Sequence, residues 1–277
     1  MGFFKDLFGR SDALPAPPRP DPTTLNVWWL AGKGCFIEVV GESFRRDAIK
    51  RVAGEHGTES ALQHAQAFLY PEPTNPYDAN AVMVFIGGEH VGYLNRHDAP
   101  HYQPLLLELE RSGYMGCCSA AIRGGSTESG YEADYGIVLY LAPGSECMVT
   151  AQPSGSFLPP EARCTVTSEQ YHQEAIVRLC ATGSFFYATL GSAERNPHAT
   201  NETGPVVSVH AENGDVLGYL TPAMSRRHLE FVEAAQPHCE GYIHAGNKGG
   251  RDILEVELFL PLGRTVDEAR SREEHEE

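Results

Sequence analysis

The chain has 277 residues, 42% of them hydrophobic, and a formal net charge of -16 at pH 7. This is enough apolar material for one large core or two modest ones, and too much for a disordered chain. No run approaches the roughly 18 apolar residues needed to cross a bilayer, and the first residues lack the blocks of a secretory signal, so a soluble, cytoplasmic protein is expected. The acidic balance disfavours DNA binding over the whole surface, where affinity comes from cations displacing counterions along the phosphates; it leaves room for one local pocket of suitable sign.

Taken in chain order, residues 1–10 place Phe3, Phe4, Leu7 and Phe8 on one stripe of a short amphipathic helix that ends at Gly9. Residues 11–33 are rich in proline and read as an extended tether and lead-in. A strand is expected over Cys35 to Val40, then a helix from Phe44 to Val52 with Phe44, Ala48, Ile49 and Val52 on one face and Arg46 and Lys50 on the opposite, solvated face. Further strands are expected over Leu62 to Tyr70, Ala81 to Ile86 and His90 to Leu94, the last two joined at Gly87-Gly88. A helix over His97 to Arg111 and strands over Cys118 to Ile122 and Gly136 to Leu141 close a first domain, residues 34–142. Residues 143–163 are rich in Gly, Ser and Pro and read as a linker, followed by a second domain at 164–262 and a charged tail at 263–277.

The second domain repeats the first. Glu42-Ser-Phe44 with Asp47-Ala-Ile49 returns as Glu169-Gln-Tyr171 with Glu174-Ala-Ile176 at the same spacing. Ala67-Phe-Leu69 followed by Asn75-Pro76 returns as Ala188-Thr-Leu190 followed by Asn196-Pro197. Val91-Gly-Tyr-Leu94 returns as Leu217-Gly-Tyr-Leu220, and Cys118 and Ile122 as Cys239 and Ile243. Landmarks in one order at matched spacing mark a duplication.

Several chemistries lack their residues. The seven cysteines form an odd set without a C-x-x-C pair, so neither a zinc ribbon nor a disulfide framework is signalled. His97 and His101 at helical spacing, with Cys117-Cys118, make a poor metal set because adjacent thiols point apart, so no metal is expected. Gly246-Asn-Lys-Gly-Gly250 lacks the spacing and hydroxyl of a phosphate loop, and neither a G-x-S-x-G elbow nor an H-E-x-x-H helix occurs. The expectation is a non-enzyme without cofactor.

The residues Val40-Gly41-Glu-Ser-Phe44, then Glu72-Pro-Thr-Asn75-Pro76-Tyr77-Asp78-Ala-Asn80-Ala81-Val82, then Val91-Gly-Tyr-Leu94 resemble the HIRAN domain, best over Gly34 to Ala142 and weakly over Cys164 to Pro261. The resemblance implies a mainly β fold with short helices, a tandem of two small barrels related to the OB and SH3 architectures. It also implies binding of the 3′ end of single-stranded DNA, as the domain does when fused to remodelling helicases in fork repair; an accessory role in DNA repair or defence would follow. A strand end needs an aromatic face for its base, a cation for its phosphate and an acceptor for its terminal hydroxyl. Tyr77 fits the first need and Asp78 the last; Phe44 corresponds to a second stacking ring and Arg96 to a phosphate contact, with Asn75 and Asn80 framing the loop. Asn and Pro are also ordinary turn residues, and the second copy shares Asn-Pro, which gives those two a turn role. Tyr93 and Tyr219 occur in both hairpins and are read as packing.

Two departures stand out in the first copy: Ser43 occupies a place where DNA-binding members carry a basic residue, and Phe44 lacks a hydroxyl. Arg45, Arg46 and Lys50 are the candidates to replace the missing phosphate contact. In the second copy Tyr77 becomes His198, Asp78 becomes Ala199, and Glu202-Thr203-Gly204 are extra, so no end recognition is expected there. Its retained apolar landmarks fit intramolecular packing, dimerisation or a protein partner. The alternative reading of the whole chain is a protein-interaction scaffold that keeps the barrel without binding DNA.

Overall fold

A computed structural model describes residues 26–54, 61–124, 127–128, 131–132, 135–144, 147–151, 155–200 and 204–261. The expected N-terminal helix, most of the tether, Glu202, Thr203 and the charged tail lie outside the described residues.

The first half contains strands β1 (Asn26–Leu30), β2 (Ile37–Val40), β3 (Ala61–Pro71), β4 (Val82–Ile86), β5 (Glu89–Leu94), β6 (Tyr114–Gly124), the two-residue strands β7 (Thr127–Glu128) and β8 (Tyr131–Glu132), β9 (Tyr135–Tyr140) and β10 (Val149–Thr150). Its helices are α1 (Arg46–Ala53) and α2 (Ala99–Arg111). The second half holds β11 (Ala162–Thr167), α3 (Gln173–Cys180), β12 (Phe185–Ala193), β13 (Val206–His210), β14 (Val216–Leu220), α4 (Pro222–Ala235), β15 (His238–Lys248) and β16 (Arg251–Leu260).

The molecule is mainly β, and each half closes a six-stranded antiparallel barrel. Around the first barrel the order is β6-β3-β4-β5-β2-β9, closed by β6 against β9; around the second it is β15-β12-β13-β14-β11-β16. The two orders are the same once each strand is matched to its counterpart. Even irregularities recur: a register shift follows Val84 in the β4–β5 pair and Val209 in the β13–β14 pair. Inside each barrel the alternate residues form a separate apolar core, with Cys118 at full burial in one and Cys239 in the other.

The repeated Gly-Tyr-Leu motif has a steric cause. A Cβ on Gly92 would stand 2.4 Å from Val39 Cγ1 and 2.6 Å from the Val40 carbonyl oxygen, and one on Gly218 would stand 2.5 Å from both Thr167 O and Val166 Cγ1. The strand carrying the tyrosine crosses its neighbour so closely that only glycine fits. The repeated Glu42 and Glu169 are also structural. Glu42 accepts the Ile137 N–H at 3.2 Å and Glu169 the Val256 N–H at 2.5 Å, tying the turn before each helix to the last barrel strand.

Three features differ from the sequence reading. Phe44 does not share the face of the first helix with Ile49; it ends a one-turn 3₁₀ segment, Glu42–Phe44, and is 75% exposed, while Ile49 one turn into α1 is fully buried. The lead-in contains β1, which pairs in parallel with β6, and the linker contains β10, which pairs with β1. The helix expected from His97 begins at Ala99, because the Asn95 side chain accepts the N–H groups of His97 and Asp98 in a turn just before it.

These lead-in and linker segments hold the barrels together. The turn after β1 packs against the second barrel, where Glu240 on β15 accepts the Gly32 N–H at 2.9 and 3.1 Å through its two oxygens and the Lys33 N–H at 2.9 Å. A Cβ on Gly34 would meet the Phe259 ring at 2.7 Å, so this turn has no room for a side chain there. Trp29 packs edge-on against Phe157, and Thr150 Oγ1 shares a hydrogen bond of 2.6 Å with the Tyr187 hydroxyl. Glu240 itself is fully buried, which pushes its carboxyl up to about 7 against the lowering effect of the two backbone donors; the Trp29 indole lies near without reaching hydrogen-bond geometry.

Candidate nucleic-acid interface

The loop between β3 and β4 is closed at its base by the Glu72 N–H donating to the Ala81 carbonyl at 2.8 Å. From α2 the buried Gln103 Nε2 donates to the carbonyls of Ala79 and Ala81, fixing the far end of the loop. Within it, Asn75 Oδ1 accepts the Tyr77 N–H at 2.9 Å while Asn75 Nδ2 donates to Glu72 Oε2 at 2.6 Å. The side chain of Asn75 is thus spent on the turn. The second copy uses the same device: Asn196 Oδ1 accepts the His198 N–H at 3.0 Å.

With the backbone held in this way, Tyr77 projects into solvent and is 65% exposed. Asp78 folds back: Oδ1 accepts the Asn80 N–H at 2.9 Å and Oδ2 lies 3.6 Å from Arg96 Nε. The carboxylate and the cation proposed for separate tasks therefore stand side by side, at the end of β5 and the tip of the loop. Asn80 contributes its backbone to this turn, with its side chain in solvent.

Sequence reasoning named Arg45 without placing it, and missed three residues that lie between the Phe44 turn and the Tyr77 loop: Tyr93, Glu72 and His90. Tyr93, read as packing, is only half-buried, and the Arg45 guanidinium and the Glu72 carboxylate both face its hydroxyl; burial first, then Glu72, hold the phenol above its ordinary range while Arg45 opposes them. Arg45 directly follows Phe44, and Glu72 holds Asn75, so the contacts run from the Phe44 turn through Tyr93 to the Tyr77 loop. His90 stacks on Phe85 at 5.1 Å and meets Tyr93 edge-on at 4.8 Å. Burial, with Arg45 adding, lowers its pKa to about 4, which leaves it neutral at pH 7. The signal for Tyr93 was its repetition, which fits core and site equally; for the others no local pattern exists, because they meet only through the barrel closure. Arg46 lines a separate small cleft with Glu42, Ser43 and Tyr135.

In the second copy Tyr171 stands for Phe44 and His198 for Tyr77, and these two rings stack on each other at 4.1 Å and 10°. His172, in the place of Arg45, meets His198 edge-on at 5.2 Å, and burial followed by His198 lowers its pKa. The space that would take a base between the rings is filled by the rings. No ring contact joins Phe44 to Tyr77 among the described residues.

The other sequence candidate, the His97 and His101 pair, has its rings 5.9 Å apart, with His97 Nδ1 3.1 Å from Asp98. Cys117 and Cys118 are both buried in the sheet, where burial pushes the Cys117 thiol up to about 12 and the Cys118 thiol higher than usual. Buried, protonated thiols are poor ligands. Among the described residues no group of three or more His, Cys, Asp or Glu side chains is arranged to hold a metal. No helix of the described residues is long and apolar enough to cross a membrane. Comparison of the chain with known family models, with characterised proteins and with solved structures finds no match.

Proposed function

We propose that the first barrel is of the HIRAN type and binds the free 3′ end of a single DNA strand. The terminal base is taken between Phe44 and Tyr77, the terminal hydroxyl donates to Asp78, and Arg96 meets a phosphate. The observation that carries this reading is two exposed aromatic rings, 75% and 65% accessible, together with a carboxylate beside Tyr77 that lies 3.6 Å from an arginine just after β5. A base stacking on an aromatic side chain contributes about 1–3 kcal/mol. An esterified or phosphorylated terminus has no hydroxyl proton to donate and brings charge against Asp78.

The test is fluorescence anisotropy of the full chain with a short oligonucleotide ending in a 3′-hydroxyl and the same strand ending in a 3′-phosphate. Tighter binding of the hydroxyl strand, lost in Asp78→Asn, is expected. Equal binding of both strands removes Asp78 from its role, and no binding of either leaves the barrel pair as a protein-interaction scaffold.

A further inference from the structure

We propose that the second barrel is the built-in dimerisation partner of the first: the two halves pair about a pseudo-two-fold axis, and Glu240 makes that pairing specific for unlike barrels. In a two-fold interface a residue on the axis meets its own counterpart, and residues off the axis make reciprocal contacts. Both signatures occur between the segments that lead into the two barrels.

Trp29 and Phe157 are counterparts. β1 sets Trp29 in parallel against Cys117, and an isolated parallel bridge sets Phe157 against His238. Cys117 and His238 directly precede the matched Cys118 and Cys239, which pair with the matched Ala67 and Ala188. The next residues, Leu30 and Leu158, enter the two cores. Trp29 and Phe157 touch each other, with ring centroids 5.0 Å apart. Three residues on, Gly32 touches its counterpart Pro160: a Cβ on Gly32 would stand 2.8 Å from Pro160 Cγ. The contacts off the axis are reciprocal. Tyr140 on β9 and Phe259 on β16 are counterparts, paired with Ser119 and Glu240. Phe259 receives the first lead-in at Gly34, and Tyr140 receives the second, its hydroxyl donating to Glu161 Oε1 at 2.7 Å. Each barrel thus lays its own entry segment on the outward sheet face of the other.

The residues that break this symmetry select the unlike pair. Glu240 is fully buried and needs donors, which the first lead-in supplies through the Gly32 and Lys33 N–H groups. The counterpart of Glu240 is Ser119, and the counterparts of Gly32 and Lys33 are Pro160 and Glu161. Two second barrels paired in the same way would set Glu240 against Pro160, which has no N–H, and against another carboxylate. Two first barrels would set the Gly32 and Lys33 N–H groups before a serine hydroxyl. A buried carboxylate without donors is costly, so the like pair is penalised and the unlike pair is satisfied. The pairing of β1 with β10 ties the first barrel further to the chain that leads into the second.

The experiment inserts a protease site between Ser145 and Glu146 of the full chain and cuts the purified, folded protein there. Native mass spectrometry and sedimentation then follow the two pieces through dilution and reconcentration. The pieces are expected to stay together one to one at micromolar concentration and to form no complex of like pieces. Glu240→Ala should weaken their association about tenfold or more, because two backbone donors lose their acceptor, and Glu161→Ala, on the reciprocal contact, should weaken it as well. Pieces that part at micromolar concentration, or that reassort into like pairs, overturn the proposal. A cut Glu240→Ala protein that holds together as tightly as the native one overturns the selecting role of Glu240. Circular dichroism melts of the uncut variants separate lost association from lost fold, and Glu161→Ala carries the test of the interface where Glu240→Ala fails to fold.

Discussion

The two barrels share strand order, register shift, the glycine crossing, the glutamate tie and the Asn-Pro turn, yet present opposite surfaces at the same corner. In the first, Phe44 and Tyr77 face water beside Arg45; in the second, Tyr171 and His198 stack on each other beside His172. The residues common to both copies are those that build the barrel, and the residues that differ are those that would meet a ligand. A duplication thus separates scaffold from site without any other sequence to compare.

The largest effects should fall on the shared scaffold and be equal in both copies. Ile49 and Ile176 are fully buried under the matching helices α1 and α3, and Ile49→Ala or Ile176→Ala should each cost about 2–5 kcal/mol in urea unfolding. A large cost in one copy and none in the other would show that only one barrel carries the stability.

Next come effects on the site, which should be unequal. Tyr77→Ala should weaken binding of a single-stranded end by about 1–3 kcal/mol, whereas His198→Ala should leave it unchanged. Matching losses from the two variants in a titration would put the ligand on both barrels and break the contrast drawn from the stacked pair.

Each barrel holds a buried group with a large shift, and the two shifts act in opposite directions with pH. His90 in the first barrel is lowered to about 4 from an ordinary 6.5, so between those values the unfolded chain takes up a proton that the folded barrel refuses. Its contribution is complete above pH 6.5 and is lost as the pH falls toward 4. Glu240 in the second barrel is raised to about 7 from 4.5, so its contribution runs the other way: present at low pH, lost as the pH rises through that window. In thermal melts from pH 4 to 8, His90→Phe should lessen the acid-side decline, to which the lowered His172 and His228 also contribute, and leave the second trend; an unchanged profile would assign the decline to those two.

The smallest effect is expected at an ion pair that both copies repeat. Arg51 joins Glu89 and Arg178 joins Asp215, each linking the first helix of its barrel to the following hairpin at 3.0 and 2.8 Å. Both arginines are largely exposed, so Arg51→Ala and Arg178→Ala should shift the melting temperature little, and less still in high salt. A shift as large as that of Ile49→Ala would mean that these pairs, rather than the core, hold the helices.

What the sequence by itself determined is whatever a short window encodes: the two copies, their hairpins and helices, the Asn-Pro turn, and Tyr77 and Asp78 on a loop tip. It set Phe44 on one helix face with Ala48 and Ile49 because the spacing suits it, whereas the chain enters that helix through a tighter turn that swings the ring outward. Tertiary structure alone decided the rest. β1 is a strand because β6 offers it an edge and β10 because β1 does, Glu240 finds the Gly32 and Lys33 N–H groups across more than 200 residues of chain, and Arg45, Glu72 and Tyr93 converge only when the barrel closes. Local spacing carries no record of such meetings, because the contacts that create them lie between segments far apart in the chain and form together with the fold.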